Sequence, residues 1–187
     1  MTVVPNSRPK MTQADALKEL ALFPQSDAYT VRVLGVRGYY KSTMGNPAKN
    51  DRGIFDDAIF IVAPDLFAAF NANTDPSLYR PGIATLVAPQ MVLYAPGIHG
   101  ISGKNPRPAF RQQSRVTVMR DGNPAPITDT AKAPFWINIH DGGNNTTSSE
   151  GCQTIYKPQW ENFRDSLNYQ LKINNQKQFP YCLIEYK

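Results

Sequence analysis

The strongest periodic signal lies near the C-terminal end. Trp160, Phe163, Leu167 and Leu171 recur at spacings of three and four behind Pro158. That rhythm predicts an amphipathic helix laying an apolar stripe against the body of the protein. Pro suits the start of such a helix, where its missing N–H would have had no partner. A second helix is expected at the other end. Thr12-Gln-Ala-Asp15 resembles a capping box with Asp in place of Glu, and Leu17, Leu20 and Ala21 follow at helical spacing until Pro24. Residues 64–71 (PDLFAAFN) read as one short helix opened by Pro64.

Elsewhere the apolar positions alternate or form short runs, which predicts strands. These are residues 29–36, 58–62, 115–120 and 179–186, with 85–94 interrupted by Pro89. Residues 135–139 (FWINI) form a further strand that delivers His140 at its end. Gly, Pro, Asn and Asp clusters mark turns at 45–47, 50–53, 95–102 and 121–126, with a loop over 129–134. Residues 104–115 are basic and punctuated by proline. The tally is about six to eight strands and two or three helices, without regular alternation. An α+β, mainly β fold is therefore expected rather than a doubly wound sheet.

Composition adds bounds. At 187 residues the chain fits one domain, residues 11–187, behind a flexible arm of residues 1–10. No run reaches the ~18 apolar residues of a membrane helix, and the N-terminus lacks the apolar core of an export signal. Two cysteines do not make a disulfide framework. Cys182 sits in the apolar run FPYCLIEY and is expected to be a buried, inert thiol. Asp56 and Asp57 are adjacent, so on a strand they face opposite sides and serve turn capping or loop solvation rather than shared acid–base work. The net charge of +5 is uneven, because residues 76–120 hold no Asp or Glu. Such a surface is either a solvated basic face or a dock for nucleic acid, lipid headgroups or an anionic cell envelope, and charge does not choose among them.

Candidate chemistry concentrates in residues 137–155, INIHDGGNNTTSSEGCQTI, which hold one of two histidines and one of two cysteines. A cysteine nucleophile needs a base and a lowered pKa. The polar loop between His140 and Cys152 can fold back to bring them together. Gly151 permits close backbone approach, and N–H groups there can form an oxyanion hole. Asp141, or a backbone carbonyl nearby, can orient the imidazole. The alternative is a buried cysteine and a loop histidine with no joint role. His99, His140, Asp141, Glu150 and Cys152 are potential metal ligands, but no metal-binding spacing is present. Ser148 and Ser149 are not in a nucleophile elbow. No phosphate-binding glycine motif occurs, and no nucleic-acid module is recognisable.

Ser149-Glu150-Gly151-Cys152, with His140 upstream at the end of an apolar strand, resembles the signature of the L,D-transpeptidase catalytic domain, the YkuD-like family. Gly53-Ile54-Phe55 is similar to an earlier Gly-x-aromatic piece of that family, and Gly97-Ile98-His99-Gly100 to its Gly-x-His-Gly fragment. Residues 36–40, 50–58 and 148–155 together resemble a group of small proteins encoded by tailed phages. The resemblance implies a β-sandwich or mixed sheet with a long helix after the cysteine. It implies Cys152 as nucleophile on a peptidoglycan stem peptide, His140 as base, and Ser149 and Gly151 as supporting residues, with Asp141 kept as the candidate orienter of the imidazole. The His–Cys spacing is shorter than usual, and Gln153-Thr154 stands where the family has an apolar residue and then a substrate-holding Arg or Asn. Arg107 or Arg111 can take over that role, with Gln153 and His99 as further substrate contacts; His99 is otherwise a turn histidine. No cofactor and no resident metal are implied, and no nucleic-acid partner. The expected protein is a monomeric hydrolytic endolysin held in the host cytoplasm until it reaches the periplasmic wall, or a virion-associated enzyme. A non-catalytic wall-binding protein on the same fold is the alternative, and a zinc peptidase a third.

Overall fold

The computed structural model describes residues 11–187 apart from 47–48, 102 and 104. The expected arm, residues 1–10, lies outside the described residues. Helix α1 (Gln13–Leu20) carries the capping box complete in both directions between Thr12 and Asp15. Helix α2 (Lys157–Ile173) begins at the Lys157-Pro158 pair, and Trp160, Phe163, Leu167 and Leu171 are its buried stripe.

Eight strands close into a barrel: β1 (Arg32–Arg37), β2 (Asp57–Ala63), β3 (Leu66–Asn73), β5 (Gln90–His99), β6 (Arg107–Gln112), β9 (Ile139–Asp141), β10 (Gln153–Ile155) and β11 (Phe179–Glu185). Around the barrel the order is β1-β11-β5-β6-β9-β10-β3-β2, with β1–β11 and β9–β10 parallel and the other pairs antiparallel. A separate sheet holds β4 (Ala84–Leu86), β7 (Thr117–Arg120) and β8 (Asn123–Thr128). The fold is mainly β with a large mixed sheet. No helix among the described residues is long and apolar enough to cross a membrane.

Period-two alternation sorts side chains into two cores. Val33, Ile59, Ile61, Phe70, Phe110, Ile139, Ile155, Phe179 and Tyr181 share one cluster with the α2 stripe. Phe163 meets Phe70 and Phe110 edge-on, with ring centroids 5.1 and 5.8 Å apart. The opposite faces of β1, β2 and β11 present Leu34, Val36, Phe60, Val62, Cys182 and Ile184 to Ala16, Leu20 and Phe23. Being covered on both sides, β2 is buried along its whole length. Cys182 is buried as expected, and burial pushes its thiol up to about 12.

Several sequence expectations change. Residues 64–71 are not a helix. Pro64-Asp65 is the turn of a hairpin, and β3 pairs with β2 from Leu66↔Ala63 to Ala72↔Asp57, so strand pairing overrides the local helical reading. The turn expected at 95–102 is largely strand. β5 runs to His99, and Pro96 fits because it lies past the last β11 partner, with its nitrogen on that open edge. Residues 123–128 form the exposed edge strand β8, leaving only Asp121-Gly122 as the turn. Pro89 divides β4 from β5 through a cis Ala88–Pro89 bond. Of the strand expected at 135–139 only Ile139 is strand: β9 runs Ile139–Asp141 and holds His140 at its centre rather than past its end, and Trp136 takes φ +56°. Asp56 and Asp57 are fully buried rather than solvated. They do cap turns: Asp57 accepts the Gly38 and Thr74 N–H groups and Asp56 that of Asp51. Burial, then neighbouring carboxylate charge, raises both carboxyls.

Candidate active site

Strand registry assembles the site. β9 and β10 are neighbours, with His140 beside Thr154, and Ala109 of β6 flanks His140 on the other side. Paired residues project to the same face, and Cys152 lies two positions before Thr154. The sulfur and the imidazole therefore share the face turned away from the Ile139–Ile155 core. On the same face, His99 pairs with Arg107 and Ala95 with Arg111. One ring nitrogen of His99, one of His140 and the Cys152 sulfur all lie within 4.8 Å of one another. The two rings have centroids 4.5 Å apart. Sequence separations of 12 and 53 residues are thus erased by three strand pairings.

The loop before β10 is fixed by its serines and glycine. Ser149 Oγ accepts the Gly151 N–H at 2.9 Å and donates to the Cys152 carbonyl at 2.5 Å. Its backbone exchanges bonds with Ser77. Ser149 therefore positions Cys152 rather than reacting. Gly151 has φ +143°, and a Cβ there would come within 2.8 Å of the Ala84 carbonyl oxygen. Because its N–H is held by Ser149, Gly151 does not supply the oxyanion donor expected of it. The Cys152 N–H has no acceptor among the described residues.

The sulfur accepts the Asn138 N–H at 3.4 Å and faces the Trp136 carbonyl at 3.7 Å. Cys152 as a residue is half-buried, but packing around the sulfur is dense, and burial pushes the thiol up to about 11 against the Asn138 N–H and the Arg107 charge, which pull it down. The lowered cysteine pKa expected from sequence is absent. Burial, then Arg107, likewise brings His140 down to about 3. Both groups are neutral near pH 7, so the pair suits proton transfer during attack rather than a standing thiolate–imidazolium pair.

His140 Nδ1 donates to the Asp141 backbone carbonyl at 2.7 Å, which leaves Nε2 as the basic lone pair. Of the two orienting groups weighed from sequence, the carbonyl takes the role. The Asp141 carboxylate turns instead to Arg107 Nε, at 3.5 Å. Arg107 Nη2 stands 3.5 Å from His140 Nε2. Arg111 crosses Gly97, where a Cβ would meet its Cδ at 2.9 Å, and stacks on Trp136 at 4.3 Å. Gln153 is not a substrate contact. It is fully buried, bonds the carbonyls of Thr74 and Gly151, and accepts the Tyr181 hydroxyl.

A cleft of about 370 Å³ opens beside the sulfur, lined by His99, Asn138, Arg111, Trp136, Ile98 and Ile101 among others. A larger cleft of about 660 Å³, between Arg52, Tyr79 and Met119, contains no His or Cys, and its Arg52 is paired with Asp121. The smaller one is lined by His99, and by Asn138 and Trp136, whose backbones contact the Cys152 sulfur; Cys152 and His140 themselves lie behind its wall. Sequence reading missed Asn138, Gln112 and Trp136. Asn138 had a usable signal, because it stands two residues before His140 and must share its face in a strand.

His99, His140 and Cys152 are also the metal-capable cluster among the described residues. Two features disfavour a resident cation: the Arg107 guanidinium stands at the His140 lone pair, and Asn138 faces His99 Nδ1 at 3.0 Å as a donor. Glu150 is exposed and pairs with Arg80, so it is not a fourth ligand. Compared with protein-family models, curated proteins and solved structures, the chain matches none of them.

Proposed function

We propose that this protein is a cysteine-dependent acyl-transfer enzyme that cleaves a peptide bond in peptidoglycan stems, on an L,D-transpeptidase-like fold. The observation that carries the proposal is the close approach of the half-buried Cys152 to the buried His140, with Nδ1 of His140 committed to a backbone carbonyl so that Nε2 is left as base. In the reaction Sγ bonds to the substrate carbonyl carbon while His140 Nε2 takes the thiol proton. The tetrahedral intermediate collapses to a thioester, and His140 returns the proton to the leaving amine. Water then adds to the thioester with His140 again as base, which releases the acid and restores the thiol.

Arg107 and Arg111 suit a substrate carrying carboxylates, as wall stem peptides do. Arg111 Nε is buried without a hydrogen-bond partner, and Arg107 Nε has only the ion pair to Asp141 at 3.5 Å. A substrate carboxylate that engages Arg107 draws it from His140 Nε2 and frees the base. A role in phage lysis, or in a virion that breaches the wall, fits this reading.

One observation favours a second reading, a wall-binding protein that does no chemistry: Arg107 Nη2 stands 3.5 Å from the lone pair of the proposed base, His140 Nε2. Mass spectrometry of purified peptidoglycan incubated with wild type and with Cys152→Ala separates the two. Muropeptides released by wild type and reduced at least about 10³-fold by Cys152→Ala are expected, because the nucleophile has no substitute. Equal release by both proteins refutes the cysteine mechanism, and sacculus binding without release by wild type supports the second reading.

A further inference from the structure

Gly151 N–H is consumed by Ser149, so the backbone around Cys152 offers a single free donor, the Cys152 N–H, to an oxyanion. A second donor has to come from a side chain at the cleft, and His99 lines it. The Asn138 side chain cannot be turned freely: its Oδ1 accepts the Gln112 backbone N–H at 3.1 Å, which directs Nδ2 to His99 Nδ1 at 3.0 Å. Nδ1 therefore accepts, and the proton of the neutral ring sits on Nε2. The lock is itself braced. Gln112 accepts the Ile137 N–H at 2.9 Å and donates to Asp129 at 2.6 Å, and Asp129 also accepts the N–H groups of Val116 and Phe135. Asp129, Gln112 and Asn138 are all buried. His99 itself is half-buried and lines the cleft beside the sulfur.

Resting on the acyl-transfer reading, we propose that His99 is a catalytic hydrogen-bond donor and not a base, its Nε2–H holding the substrate oxygen as it gains charge alongside the Cys152 N–H, while Asn138 is the positioning residue that fixes its tautomer. Burial, then the charges of Arg107 and Arg111, lower the pKa of the ring. The two histidines thus divide the work: His140 presents a lone pair, and His99 presents a proton.

The first test needs no turnover. Long-range 1H–15N NMR of the histidine-labelled protein at neutral pH should show His99 protonated on Nε2 and bare on Nδ1. Asn138→Asp, which replaces the donor with an acceptor, should move a proton onto Nδ1. A wild-type ring protonated on Nδ1 overturns the proposal, as does a spectrum that Asn138→Asp leaves unchanged. The second test uses peptidoglycan cleavage. His99→Gln keeps an N–H near the Nε2 position but cannot act as a base. It should stay within about tenfold of wild type and keep the pH profile, whereas His99→Ala should lose about 10²–10³-fold, the usual cost of one oxyanion donor. Equal losses in the two variants overturn the donor role. A stoichiometric cobalt(II) complex of wild type that is lost in His99→Ala would make His99 a ligand and overturn it as well. Wild type that releases no muropeptides defeats the acyl-transfer reading, and the catalytic role with it, while leaving the NMR result to stand by itself.

Discussion

At the scale of single residues, the unusual feature is a nucleophile candidate held as a thiol. Cys152 is pushed up to about 11 by burial and His140 down to about 3. The order of these two values decides the resting protonation: between them the pair is neutral, with one proton on sulfur and none on Nε2. A thiolate–imidazolium enzyme has the reverse order and shows a plateau of thiol reactivity across neutral pH. Here the rate of iodoacetamide alkylation at Cys152, followed by peptide mass mapping, should stay low through pH 8. It should then climb towards a midpoint near 11. Mapping is needed because Cys182 is also a free thiol, though buried and higher still, at about 12. A plateau between pH 5 and pH 8 would show that the sulfur is ionised at rest and would remove the general-base mechanism.

At the scale of elements, local sequence was informative wherever one periodicity ruled. The α2 stripe and the Thr12–Asp15 capping box are one-dimensional patterns, and both form as read. Residues 64–71 failed because PDLFAAFN fits a helix start and a hairpin equally well, and pairing with β2 decides between them. The short strands β9 and β10 were hardest to read, since three residues carry too little alternation to announce a strand. Their placement depends instead on the loop that joins them, and Gly151 is its pivot. An alanine there is wrong twice over. It must hold φ near +143°, and its Cβ would press on the Ala84 carbonyl oxygen of β4. Relief requires the loop to move, which carries Cys152 away from Asn138 N–H and His140. Gly151→Ala should cost about 1–3 kcal/mol in urea unfolding, the usual range for a forced backbone conformation, with at least about a tenfold loss of wall cleavage. A variant as stable and as active as wild type would mean that the loop has slack the packing does not suggest.

At the scale of the whole molecule, the sequence revealed the parts of the site but not their neighbours. The pairing of His140 with Cys152 was legible because both lie in one polar segment. His99 could be noted only as a fragment, because its place depends on β5, β6 and β9 lying side by side. Gln153 was misread for a similar reason: adjacency to Cys152 suggested substrate, whereas alternation turns it into the barrel. There it joins opposite walls. Tyr181 of β11 lies over Gly35 of β1, which lacks the Cβ that would block the ring, and its hydroxyl reaches Gln153 Oε1 at 3.0 Å. Gln153 Nε2 passes the connection to the Gly151 carbonyl at 3.3 Å and the Thr74 carbonyl at 3.4 Å. The loop that carries the nucleophile is therefore anchored from across the interior. Tyr181→Phe keeps the ring and its packing but leaves a fully buried amide oxygen without its donor. An unsatisfied buried acceptor costs about 1–3 kcal/mol, and urea unfolding should show a loss in that range. Because Gln153 retains its two carbonyl contacts, wall cleavage should fall severalfold rather than vanish, with the alkylation profile of Cys152 unchanged in midpoint. Stability within about 0.5 kcal/mol of wild type, the spread of a neutral surface change, would show that the Tyr181 hydroxyl contributes nothing and that Ser149 and the carbonyl contacts of Gln153 hold the loop without it.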